Sequence, residues 1–361
     1  MKGVAINMKK NRQMNYELLR IIAMLMIVCL HYLSKGGALG DPKGQLSATG
    51  YAAWLMEAFC LVAVNVYVLI SGYFGVDSTT FTIRKPLKIW GQVWFYSVVI
   101  GLVALFSGIA SFDLYRLFTY AFPVVTEHYW FATAYLLLCL MMPFLNAGVD
   151  RLDKRSFQWI LIGMLLVFSI AKTVLPMQLP WDHKGYDAFW FIFLYLTGAY
   201  LKRYKITGGW KWLFVYIAGV FAVFMSFLTL QAVYLKLGKM GDFISYSYSY
   251  NYFFTYVASI GLFLSFAHVG NNWKENTCKV ISTLAGATFG VYLIHEHIEL
   301  RYVWENWFGC AQFAQKPIGI FLLHMAGTVL TVYLICTAIE LLRQKCFLLV
   351  TERHGYERET K

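Results

Sequence analysis

Long apolar runs recur along the 361-residue chain, each closed by a short polar or glycine-bearing stretch. A helix rises about 1.5 Å per residue, so about 20 apolar residues suffice to cross the hydrocarbon layer of a membrane. The pattern predicts such helices over 16–35, 52–75, 87–109, 130–147, 157–175, 187–203, 211–235, 250–270, 278–300 and 317–345. The expected class is therefore all-α: a polytopic membrane helix bundle with about ten transmembrane helices. The tyrosine-rich stretch 245–256 gives the least distinct start. No loop is long enough to fold by itself and no internal repeat stands out. Residues 1–345 read as one integral-membrane domain, followed by a short charged tail at 346–361. Tyr51, Trp54, Tyr129, Trp130, Trp304 and Trp307 fall near run ends, where interfacial aromatic anchors sit.

Composition agrees: 59% of residues are hydrophobic and 14% charged, with a mean hydropathy of +0.55. The net charge of +12 is explained by placement. If the N-terminus is cytoplasmic, most of the 31 lysines and arginines fall in inner loops, including Lys2, Lys9, Lys10 and Arg12. Both termini are thus expected in the cytoplasm. With no zinc-finger or basic-helix pattern, the lipid bilayer is the expected partner and nucleic acid is not. Of the seven cysteines, Cys29, Cys60, Cys139 and Cys336 lie inside apolar runs, and Cys310 alone falls in an outer loop. They read as small packed hydrophobes, not as a disulfide frame or a metal site. The first run could pass for a signal peptide. Arg20 and His31 within it argue for a retained span.

That first run carries the most unusual chemistry. Ten residues separate Arg20 from His31, and the eleven steps of about 100° between them return to nearly the same helix face, roughly 16 Å further along. Ionisable groups in a spanning helix are expensive and face a bundle interior or a water-filled path. Glu17 lies three residues before Arg20 and can reach it on the same face.

Other polar groups sort by side. Arg84, Lys85 and Lys88 sit at an inner loop, where they serve topology or form a phosphate-binding cleft. Glu127, His128, His295 and Glu299 gather towards the outer side, with Glu57, Asp182 and His183. The His295-Glu296-His297 run is a poor metal site on a helix, because residues two apart point about 200° around the axis. His295 and Glu299 would share a face, but two ligands do not make a zinc site, and no metal is expected. Asn65 lies near mid-membrane and needs a partner, while Ser71-Gly72 permits close helix approach.

These residues resemble a known pattern. Arg20, ten residues and His31 form the Arg-x10-His signature of the integral-membrane acyltransferase-3 family. Asn65 to Phe74 is similar to that family's second-helix run, and Arg84-Lys85-x-x-Lys88 to its basic motif, with two lysines in place of arginines. Tyr129-Trp130-Phe131 with Pro143, and Gly290-Val291-Tyr292-Leu293-Ile294-His295, resemble two later motifs. The resemblance implies a multi-pass O-acyltransferase of the bacterial cytoplasmic membrane, modifying cell-surface polysaccharides or related acceptors. It implies acyl-CoA, most often acetyl-CoA, as cytoplasmic donor substrate, no permanently bound cofactor, and a hydroxyl on an extracytoplasmic or lipid-linked glycan as acceptor. On that pattern His31 and Arg20 are the expected catalytic pair, and Arg84, Lys85 and Lys88 hold the CoA phosphates. Glu127, His128, His295, Glu299 and Asn65 are candidates to orient His31 or bind acceptor. The chain ends in a charged tail where some members carry an esterase-like domain. Direct transfer, a homo-oligomer and a separate extracytoplasmic transferase therefore all stay open. Two rival readings remain: a transporter or flippase of a lipid-linked sugar or small polar substrate, and a membrane module serving a soluble enzyme.

Overall fold

The computed structural model describes residues 13–78, 82–175, 177, 179–270 and 273–359. The basic residues Lys2, Lys9, Lys10 and Arg12 lie outside the described residues, as do the last two residues of the charged tail. All regular structure among the described residues is helical. Among the described residues, eight helices are long and apolar enough to cross a membrane: α1 (Met14–Ser34), α2 (Ala48–Gly75), α3 (Arg84–Phe106), α5 (Trp130–Arg151), α6 (Lys154–Val174), α8 (Lys211–Leu237), α10 (Glu275–His295) and the apolar part, Ile318–Leu349, of α11 (Ile318–Glu359). A short helix, α4 (Leu114–Ala121), follows α3.

Helices also occupy the two remaining expected spans, but they are shorter. They are α7 (Ala188–Arg203), of 16 residues, and α9 (Phe253–Phe266), of 14. The late start of α9 has a local cause. Residues Gly241–Ser247 wind as a 3₁₀ helix, and the following turn presents the Tyr250 carbonyl to the Asn65 amide at 2.8 Å. A carbonyl turned out to a side chain in this way is not available to a continuous helix. The tail expected at 346–361 continues α11 as far as Glu359.

The bundle is arranged around its first two helices. In α1 and α2, 61% and 78% of the apolar window is buried, against 28% in α3 and α8 and 17% in α6. The last three expose large apolar side chains such as Val103, Trp159 and Phe214, the surface a spanning bundle turns to lipid. α1 packs against α2, α10 and α11. Close packing of α2 on α7 depends on two glycines. A Cβ on Gly72 would collide with the Tyr195 backbone, and one on Gly198 with the Leu69 carbonyl and the Tyr73 nitrogen. α2 is broken by a turn at Leu61–Val62. Just beyond it, Asn65 donates to Tyr250 O and Ser259 Oγ and accepts from the Trp190 indole at 3.0 Å, joining α2, α7 and α9.

Candidate functional site

A cavity of about 250 Å³ runs along α1 inside the bundle. From α1 it is lined by Arg20, Met24, Ile27 and His31, whose spacing of four, three and four keeps them on one helix face. α10 supplies Ala285, Thr288, Phe289 and Tyr292 at similar spacing, and α2 supplies Val64, Tyr67 and Ser71. Trp130, Phe131 and Tyr135 of α5 and the Tyr250 turn close the remaining side. Arg20 marks one end of the face and His31 the other. Arg20 is held by Glu17, Nη1 to Oε1 at 2.9 Å, and its carbonyl accepts the Tyr67 hydroxyl at 2.6 Å.

At the far end, hydrogen bonds fix the tautomer of His31. His295 Nδ1 lies 2.6 Å from the Val291 carbonyl, which can only accept, so Nδ1 of His295 carries the hydrogen. With that ring neutral, its Nε2 is an acceptor. His31 Nδ1 lies 2.9 Å from it and must donate. The Glu296 carboxylate lies alongside, with Oε2 at 3.2 Å from His31 Nδ1 but without a hydrogen bond to it. The bond to His295 places the hydrogen on Nδ1 and the lone pair of His31 on Nε2. A carboxylate behind an imidazole fixes its orientation and stabilises the imidazolium that forms when it takes a proton.

Glu296 is itself clamped. It follows the last residue of α10, is 2% exposed, and pairs with Lys35 and with Arg301, whose Nη1 is 3.4 Å away. Burial pulls the Lys35 ammonium below its ordinary pKa, and Glu296 opposes that shift. Beside them, Glu305 is buried with neither carboxyl oxygen hydrogen-bonded, and burial pushes its pKa up to about 8. The Trp304 indole donates to the His295 carbonyl at 3.1 Å, and the Tyr129 hydroxyl donates to the Leu293 carbonyl at 2.9 Å. The end of α10 is therefore held from two sides.

The comparisons with known proteins bear on this geometry. A family model described as "Acyltransferase domain", that of the acyltransferase-3 family, matches residues 15–337. The chain belongs to the acyltransferase-3 family. It is a multi-pass membrane acyltransferase. No curated protein and no solved structure matches the chain.

The remaining candidates in this acyltransferase separate into three groups. His31, His295 and Arg20 meet at the cavity, His295 through its bond to His31. Arg84, Lys85 and Lys88 are exposed at the start of α3 and pair with no carboxylate among the described residues. Only Ile89 of α3 lines the cavity, and Lys85, four residues before it, shares its helix face. That makes Lys85 the member of the trio best placed at the cavity's Arg20 end.

The others do not line the cavity. His128 Nε2 accepts from the Ile298 N–H at 3.1 Å and its Nδ1 donates to Ser97 Oγ at 3.1 Å, while burial holds its pKa down to about 2. Glu299 takes both contacts of Arg116, at 2.9 and 3.0 Å, and the Tyr120 hydroxyl at 2.7 Å. Glu127 is exposed in a left-handed turn with φ 50°, and Asn65 spends its amide on three fold contacts outside the cavity. Sequence reasoning missed Glu296, Lys35 and Arg301. Their signal was present: two basic residues on the sparsely basic side, flanking a carboxylate adjacent to His295. All seven cysteines are free thiols, and no cluster of three metal-type ligands occurs among the described residues.

Proposed function

We propose that this acyltransferase moves an acyl group, acetyl being the expected one, from cytoplasmic acyl-CoA to a hydroxyl of an extracytoplasmic or lipid-linked glycan. The observation that carries the reading is the His31 lone pair on Nε2 at one end of a cavity whose other end is Arg20. Arg84, Lys85 and Lys88 attract the CoA phosphates with charges that no carboxylate among the described residues neutralises. Arg20 holds the donor further in, and the pantetheine arm lies along the apolar face between Arg20 and His31. His31 Nε2 takes the proton of the acceptor hydroxyl as its oxygen bonds to the thioester carbon. The tetrahedral adduct then breaks its C–S bond, and the same proton passes from His31 to the departing thiolate. His295 keeps neutral His31 in the reactive tautomer, and the Glu296 charge stabilises the imidazolium that forms.

The test is transfer of radiolabelled acetyl from acetyl-CoA into the surface glycan of membranes carrying either wild type or His31→Ala. Loss of the base is expected to cut transfer by about 10³-fold at equal protein level. Label incorporation within threefold of wild type would refute the assignment of His31. Glycan acetylation by washed membranes, read by mass, that persists without a CoA donor would refute acyl-CoA as the source.

A further inference from the structure

An acyl transfer needs a hydrogen-bond donor as well as a base. When the acceptor oxygen bonds to the thioester carbon, the carbonyl electron pair moves onto oxygen, and donors already in place there stabilise that charge. Most hydroxyls lining the cavity are engaged elsewhere. Tyr67 donates to Arg20 O at 2.6 Å, Ser71 to Tyr67 O at 2.9 Å, and Thr288 to Ala285 O at 2.9 Å, while Tyr135 meets Ser71 at 3.0 Å.

Tyr292 is different. It lines the same cavity, is 4% exposed, and its buried hydroxyl has no hydrogen-bond partner. It stands three residues before His295 on α10, with its ring 6.3 Å from the His295 ring, which in turn lies 5.0 Å from that of His31. Tyr129 and Phe131 pack edge-on or tilted against it at 5.9 and 5.7 Å and fix the ring. The first turn of α5 also faces the phenol. The Phe131 N–H approaches the Tyr292 oxygen without reaching hydrogen-bond geometry, and as a donor it leaves the phenolic hydrogen free for a ligand. The positive end of that helix favours negative charge on the same spot. A buried donor without a partner is costly, and such groups are kept where function supplies the partner.

We propose that Tyr292 donates its phenolic hydrogen bond to the acyl carbonyl oxygen and stabilises the oxyanion formed there, opposite the base His31. This rests on the acyl-CoA reading above. Tyr292 gives up no proton: the acceptor's proton goes to His31 Nε2 and then to the thiolate, and the phenol holds the oxyanion until the C–S bond breaks.

The test uses a ketone analogue of acetyl-CoA, with a methylene in place of sulfur and a ¹³C-labelled carbonyl, bound to the full chain in detergent and read by difference infrared spectroscopy. Wild type is expected to lower the carbonyl frequency relative to Tyr292→Phe. The same variant is expected to lose about 10²-fold in kcat, with KM for acetyl-CoA within twofold. An unshifted carbonyl band between the two proteins, a kcat within threefold of wild type, or a loss carried wholly by KM would overturn the proposal. If Tyr292→Phe does not fold, difluorotyrosine at position 292 keeps the ring and hydroxyl. Its more acidic phenol should lower the frequency further, and an unchanged band overturns the role. Failure of the analogue to bind wild type brings down the donor reading itself, and Tyr292's role with it, whereas binding without a band shift removes only the role of Tyr292.

Discussion

The two ends of α1 use charge in opposite ways. At the Arg20 end, Arg84, Lys85 and Lys88 are exposed without a carboxylate partner among the described residues, and Arg20, paired with Glu17, still has a third of its side chain exposed. At the His31 end, Lys35 and Arg301 are paired with Glu296, and Arg116 with Glu299. Unpaired, solvated cations keep their attraction for a mobile anion and lose it in salt. Cations paired with a buried carboxylate have already given up part of their hydration, and what they supply is a fixed position for that carboxylate. One end is built to capture and the other to hold still. In our reading the first receives the phosphates of the donor and the second aims an imidazole.

Breaking the fixed end should cost most. Glu296→Gln keeps the shape but removes the charge behind His31, and about a 10²-fold loss of kcat is expected with the KM for acyl-CoA unchanged, measured by initial rates in membranes. A rise in KM with unaltered kcat would mean that Glu296 serves binding. At the capturing end, replacing Arg84, Lys85 and Lys88 together by glutamine is expected to raise that KM about tenfold and to flatten its dependence on ionic strength. Among the single variants Lys85→Gln should carry the largest share, because it lies on the face of Ile89, which lines the cavity.

Smaller effects should appear in stability. Glu305 has its pKa raised from 4.5 to about 8 by burial, so the folded protein binds that proton more tightly than the unfolded chain. This contribution is fully present below about pH 4.5 and is lost as pH rises through 8. The melting temperature in detergent should therefore fall between those pH values, and Glu305→Gln should flatten the slope. The smallest change is expected from Arg116→Ala. It frees Glu299 from a partly exposed pair and should lower the melting temperature by a few degrees while leaving kcat within twofold.

The spans and the Arg20–His31 face could be read from the sequence because both depend on local periodicity. A stripe at positions 20, 24, 27 and 31 is visible without knowing what packs against it. The length of α9 was not visible in this way, since it is cut short by a turn whose carbonyl is taken by Asn65, 185 residues away in sequence. Asn65 could be recognised as an amide in need of partners, but not as one that finds them in the fold. Glu296 was hidden because the expected span, 278–300, runs past the end of the helix. The angle of about 200° between residues two apart holds within a helix, whereas α10 ends at His295 and Glu296 turns back beside it, at φ −97° and ψ 5°. Lys35, Arg116 and Arg301 counted only as exceptions to the basic-inside pattern. Their carboxylate partners lie 261 and 183 residues distant for Lys35 and Arg116, and just beyond a helix end for Arg301, where charge counting does not reach.

The central claim is that the acyl group of a CoA thioester travels along α1 to His31. It is tested most directly by photolabelling the reconstituted full chain with an acyl-CoA that carries a diazirine in its acyl group, followed by peptide mapping. The account predicts label on residues at the His31 end of the cavity, Trp130 and Tyr292 among them, and its suppression by excess CoA. Label confined to the start of α3 or to the lipid-facing surfaces of α3 and α6, or label that excess CoA does not suppress, would contradict it.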